Sequence, residues 1–121
     1  MGSNKLFRNN STAEDHFRWG VLLIECLKAI SSALPTEVEV VDYEVMPHFD
    51  GRPDDMFVWF ICSTKEAKGL FNRDVRVLAL NLLHEEIARR GFPRNAVDSL
   101  KMDVTSKIDI EEGGGRFYFF R

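Results

Sequence analysis

The run Glu37-Val38-Glu39-Val40-Val41-Asp42-Tyr43-Glu44-Val45-Met46, the loop Pro47-His48-Phe49-Asp50-Gly51-Arg52-Pro53-Asp54-Asp55 and the run Met56-Phe57-Val58-Trp59-Phe60-Ile61-Cys62 read together as a β-hairpin. The rest of the chain reads as its cover or its continuation. In the first run, Val38 and Val40 share one parity, whereas Val41, Tyr43 and Val45 share the other. A strand keeps one set of side chains on one face only while its period of two is unbroken, so a bulge near Val40 is expected to reconcile the halves. The second run is apolar on both parities and rich in aromatic and β-branched residues, which favours a central strand. Two prolines and a glycine make the connecting loop a stiff projection.

Outward from the hairpin, the preceding segment reads as a helix. Ser11 and Glu14 have the spacing of a capping box, Leu23, Leu27, Ile30 and Leu34 form an apolar stripe, and Pro35 marks its end. After the hairpin, Ser63 and Glu66 repeat the capping spacing, and helical character runs to Arg90 with Gly91 as a stop. Phe71, Val75, Leu78 and Leu82 supply its stripe, continued by Leu83 and Ile87. Such a helix is long for a small domain, and Gly69 with Asn72-Arg73-Asp74 predicts a kink or a second start.

Leu100, Met102, Val104, Ile108 and Ile110 then alternate with Lys101, Asp103, Thr105, Lys107 and Asp109, predicting a strand wet on one face. Glu111 to Gly115 predicts a turn, and Phe117-Tyr118-Phe119-Phe120 a returning strand. The expected fold is an α+β two-layer sandwich, α-β-β-α-β-β, with helices on one side of a four-stranded antiparallel sheet. With the doubly apolar strands in the middle, the order is first, second, fourth, third; the simple sequential order is the alternative.

The chain has 121 residues and two cysteines, with 45% hydrophobic and 29% charged residues, which suits one α+β domain spanning 1–121 behind a loosely ordered leader, 1–10. Cys26 and Cys62 have neither disulfide-framework nor metal-pair spacing and read as packed thiols. No apolar run approaches the roughly 20 residues of a membrane span, and no secretion signal is evident, so a cytoplasmic protein with no membrane partner is expected. Net charge is −3, yet residues 37–55 hold seven acids and one base, a local −6. That field repels nucleic acid and attracts basic partners. The simpler reading is an edge strand kept soluble by its charges.

The wet parity of the third strand implies a sheet face on which central-strand aromatics gather. Either it is an exposed interaction patch or the first helix crosses to cover it. His48, Asp50, Asp54 and Asp55 on one stiff loop are the candidate cation ligands, although Asp-Gly and Pro-Asp are ordinary turn chemistry and no second ligand cluster completes a shell. His84-Glu85-Glu86 fails as a zinc-protease helix because Ala88 stands where the second histidine belongs. Gly113-Gly114-Gly115 opens no helix in this reading and is a hairpin turn.

A small acidic α+β domain with a stiff acidic loop and an aromatic patch is similar to the immunity proteins of bacterial polymorphic-toxin and contact-dependent growth-inhibition systems. The resemblance rests on size, charge and plan, with no motif to transfer. It implies a non-catalytic inhibitor without a cofactor that covers the active-site surface of a basic protein such as a nuclease toxin. Glu44, Asp50, Asp54 and Asp55 are then the expected acidic contacts, with Tyr43, Phe49 and Trp59 as anchors. The alternatives are a self-associating accessory protein, dimeric through an open sheet face, and a small metal-dependent enzyme using His48 and the loop aspartates.

Overall fold

A computed structural model describes residues 13–46 and 52–120, with the side chains of 13–17 left aside. Helix α1 (Ala13–Ser31) buries Trp19, Leu23, Cys26, Leu27 and Ile30, a three-and-four spacing that defines one stripe. The expected cap at Ser11 and the leader lie outside the described residues. Past α1 the chain does not enter a strand at once. Thr36–Val38 forms a 3₁₀ turn, and Glu39 takes the left-handed conformation, φ 44° and ψ 53°.

Strand β1 (Val40–Met46) then pairs antiparallel with β2 (Phe57–Cys62). Val40 faces Cys62 and Asp42 faces Ile61, so Val41 is the extra residue of a bulge where the valine pattern predicts one. Beyond the bulge Tyr43 and Val45 join the core, while Asp42 and Glu44 turn to the other face.

The long helix is continuous but uneven. Helix α2 (Lys65–Leu70) leads into a π-helical stretch, Phe71–Val75, and then α3 (Arg76–Arg89). Its cap is Thr64, which accepts from the Ala67 amide at 3.0 Å, one residue later than the sequence spacing suggests. Ser63 instead gives its hydroxyl to Glu39. The π stretch lies over the Asn72-Arg73-Asp74 break, and its wider turn keeps Phe71, Val75, Ala79, Leu83 and Ile87 on one buried line at steps of four. Gly91, φ 89°, ends the helix as expected, with the Phe92 amide bonded to the Ile87 carbonyl at 3.1 Å. A further helix, α4 (Arg94–Ser99), precedes β3 (Lys101–Ser106).

The expected four-stranded antiparallel sheet is not what forms. Among the described residues the sheet has three strands in the order β1-β2-β3 and is mixed, because β3 runs parallel to β2 with Val58 opposite Met102 and Phe60 opposite Val104. The helical crossover from Lys65 to Ser99 returns the chain to the end at which β2 began, where the Lys101 amide bonds the Met56 carbonyl at 3.0 Å.

The predicted strand over 100–110 stops at Ser106. That hydroxyl accepts from the Asp109 amide at 3.1 Å and donates to the Asp109 carboxylate at 2.9 Å, starting α5 (Lys107–Glu112). The predicted fourth strand is also a helix, α6 (Arg116–Phe119). Gly114 and Gly115, φ 94° and 98°, bend the chain between the two, and the Gly115 amide closes on the Ile110 carbonyl at 2.9 Å.

Helices α1 to α3 cover one sheet face, which presents Tyr43, Val45, Val58, Phe60, Cys62, Met102 and Val104. Phe57, Trp59 and Ile61 point to the opposite face. Both sheet edges carry the same device. At β3, Asp103 accepts from the Val104 amide at 2.8 Å, while Arg76 binds Asp103 at 3.0 Å and the Met102 carbonyl at 3.1 Å. At β1, Asp42 accepts from the Tyr43 amide at 2.8 Å, while Arg116 binds Asp42 at 2.8 Å and the Tyr43 carbonyl. Such pairs satisfy edge groups that would otherwise recruit another strand.

Candidate functional site

Those of the residues singled out in the sequence that the structure describes do not form one surface. Asp42 and Glu44 stand beside Trp59 on the second sheet face, and both are held by Arg116, whose Nε donates to Glu44 at 2.7 Å. Tyr43 faces the helices instead, edge-on to Phe60 at 5.8 Å, with its hydroxyl bonded to Ser31. Asp54 pairs with Arg52 at 3.3 Å. Asp55 pairs with Lys101 at 3.6 Å, and its amide donates to the Ser99 hydroxyl at 2.8 Å. His48, Phe49 and Asp50 lie outside the described residues.

Trp59 sits in an aromatic group with Phe57 at 5.6 Å, Phe119 at 5.8 Å and Phe120 at 5.4 Å. The second sheet face is therefore neither open nor crossed by α1. The C-terminal helices cover it, leaving Phe117 and Tyr118, 73% and 59% exposed, on their outer side.

Acids without a basic partner among the described residues gather elsewhere. Two adjoining hollows of about 330 and 240 Å³ share Glu37 and Leu70. Pro35, Val38, Leu70 and Val75 line the larger, with Glu37 and Asp74 at its rim. Glu39 and Glu66 border the smaller with Thr64 and Ala67. Asp74 is bound to Arg73 at 3.0 Å, whereas Glu37, Glu39 and Glu66 have no basic partner among the described residues. An apolar floor under a negative rim suits a lysine or arginine, whose aliphatic stem packs on Leu70 while its head meets the carboxylates. In the sequence Glu66 reads only as a capping residue and Leu70 belongs to no stripe; only the fold brings them to Glu37.

Burial pushes the Cys26 and Cys62 thiols up to about 11, so both are neutral, packed groups near neutral pH, in keeping with their sequence reading. No group of three or more metal-ligating side chains occurs among the described residues, and no helix there is long and apolar enough to cross a membrane. Family models, curated proteins and solved structures yield no match to the chain.

Asp109 ties α5 to the long helix. The hydrogen bond from Lys68 at 2.7 Å, then that from Ser106, hold its carboxyl below the ordinary 3.8. The folded state therefore favours the carboxylate, and this stabilisation is complete above about pH 4 and disappears as pH falls through the depressed folded value. Asp109→Asn should melt below the parent at neutral pH, with the difference closing in acid. Melting curves that stay separated by the same interval down to about pH 2 would show that packing, not charge, sets the effect.

Proposed function

We propose that the chain is a non-catalytic, cytoplasmic protein-binding module, an immunity protein that neutralises a basic toxin by covering its active-site surface. The observation carrying this reading is the hollow of Glu37, Glu39 and Glu66 over Leu70, which combines uncompensated negative charge with an apolar floor. Complementary charge speeds encounter, and a desolvated anchor prolongs residence. Asp54 and Asp55 stand at the other end of the hairpin, where β2 begins, and form a separate acidic pair beside a loop whose own acid, Asp50, lies outside the described residues. Asp42 and Glu44 lie on the second sheet face and are held by Arg116.

The test is whether a neighbouring gene encodes a secreted toxin and, with that toxin purified, how fast the two associate. Reversing Glu37, Glu39 and Glu66 to lysine should slow association about tenfold at low salt and flatten its salt dependence. Reversal at Asp54 and Asp55 should act in the same direction but less, because both already have basic partners. An association rate indifferent to both sets of changes, or a gene neighbourhood that is purely metabolic, removes the reading. The exposure of Phe117 and Tyr118 favours self-association as the second reading, and sedimentation of the purified protein as a monomer would eliminate it.

A further inference from the structure

We propose that the position filled by Arg116 is a receptor for an arginine of a partner's extended segment, and that the C-terminal helices occupy it in the partner's absence. The two guarded sheet edges differ in how their arginines are mounted. Arg76 belongs to a fourteen-residue helix whose other face is built into the core. Arg116 belongs to a four-residue helix with no buried residue, behind two glycines at positive φ. The first guard is fixed and the second can leave without unpacking α1, α3 or the helix-covered sheet face.

What Arg116 vacates is a built guanidinium site. Its Nε meets Glu44 at 2.7 Å, its Nη1 meets Asp42 at 2.8 Å, its Nη2 meets the Tyr43 carbonyl, and its guanidinium carbon lies 5.8 Å from the Phe120 ring. A bidentate donor matches this arrangement; a lysine offers a single charged point. Departure of α6 also removes Phe119 and Phe120 from Trp59, so the same event unveils an aromatic anchor and the β1 edge. An extended segment can then add to β1 while its arginine enters between Asp42 and Glu44. A second copy of this strand is a poor occupant, because its own Asp42 and Glu44 would face like charges. The basic occupant rests on the reading proposed above; the release of Arg116 does not.

The experiment follows amide exchange across Val40–Met46 in the full chain. Arg116→Ala should raise exchange there about tenfold, while the buried amides of α3 stay protected. A synthetic peptide, Gly-Arg-Phe-Tyr-Phe-Phe, should restore protection, and the same peptide with alanine for arginine should not. For the parent protein, raising sodium chloride from 0.02 to 0.5 M, on the order of the range over which exposed ion pairs are screened, should raise β1 exchange without any substitution. Unchanged β1 exchange in both the variant and high salt overturns the proposal, as does equal protection by the two peptides. If those fail while Glu37, Glu39 and Glu66 still govern toxin association, the receptor is rejected and the inhibitor reading survives.

Discussion

Phe60→Ala is expected to lower stability by about 3–5 kcal/mol, a fall in Tm on the order of 10–20 °C for a domain of this size. Phe60 is fully buried on the central strand, lies 5.1 Å from Phe71 and meets Tyr43 edge-on. It therefore touches the sheet, the long helix and the β1 strand at once. Removing the ring forfeits transfer free energy and leaves a cavity that three rigid elements cannot close. Phe57→Ala, at a half-buried position on the same strand but the opposite face, should cost well under half as much. Denaturant melts of the two variants check this, and similar midpoints would mean that the two faces of β2 are equally packed.

The second large effect separates two leucines of the long helix. Leu83→Ala should cost about 2–5 kcal/mol and Leu78→Ala no more than about 0.5 kcal/mol. Leu83 is fully buried, in line with Ala79 and Ile87, whereas Leu78 is 43% exposed. Periodicity alone places Leu78 in the apolar stripe, because a regular helix from Phe71 and Val75 reaches it next. The π turn between Phe71 and Val75 changes the phase, so Ala79 takes the inward position. Comparable losses for the two variants would contradict the π turn and restore a regular helix.

The same contrast explains what was legible. The helix stop at Gly91, the stripe of α1, the bulge at Val41 and the central character of β2 follow from local rules acting over a few residues. The predicted third strand forms over Lys101–Ser106, but its continuation to Ile110 and the predicted fourth strand are helical, because a capping signal outweighs period two in that stretch. Ser106 and Asp109 have the same hydroxyl-then-carboxylate spacing as Ser63 and Glu66; here the structure uses it directly, whereas at the long helix the cap moves one residue on to Thr64. The three glycines likewise suit a hairpin by local rules, although two of them serve to fold one short helix against another. Aromatic residues 117–120 then had no strand partner to meet, and they pack on Trp59 and on one another instead.

For the candidate site, the sequence supplied the charge but not its compensation. Between residues 37 and 55 the excess of acid is a property of composition and holds in any conformation. Which of those acids keep their charge uncompensated depends on bases far away in the chain. Arg116 reaches across more than seventy residues to bind both Asp42 and Glu44, offsetting half of their combined charge, and Lys101 answers Asp55. Spacing rules act within one turn of helix or one pair of strands and carry no information at that range.

By itself, then, the sequence determined the amphipathic elements, the α+β class, the central strand and the acidic middle, because each arises from residue order over short distances. Only the tertiary structure decided that the sheet of the described residues has three strands, that β3 runs parallel to β2, and that Glu37, Glu39 and Glu66 meet around one pair of hollows. Those outcomes turn on which distant groups satisfy a strand edge or pair a charge, a competition settled when the chain closes on itself. The hairpin that organises the fold is accordingly guarded by an arginine no local pattern could have placed beside it.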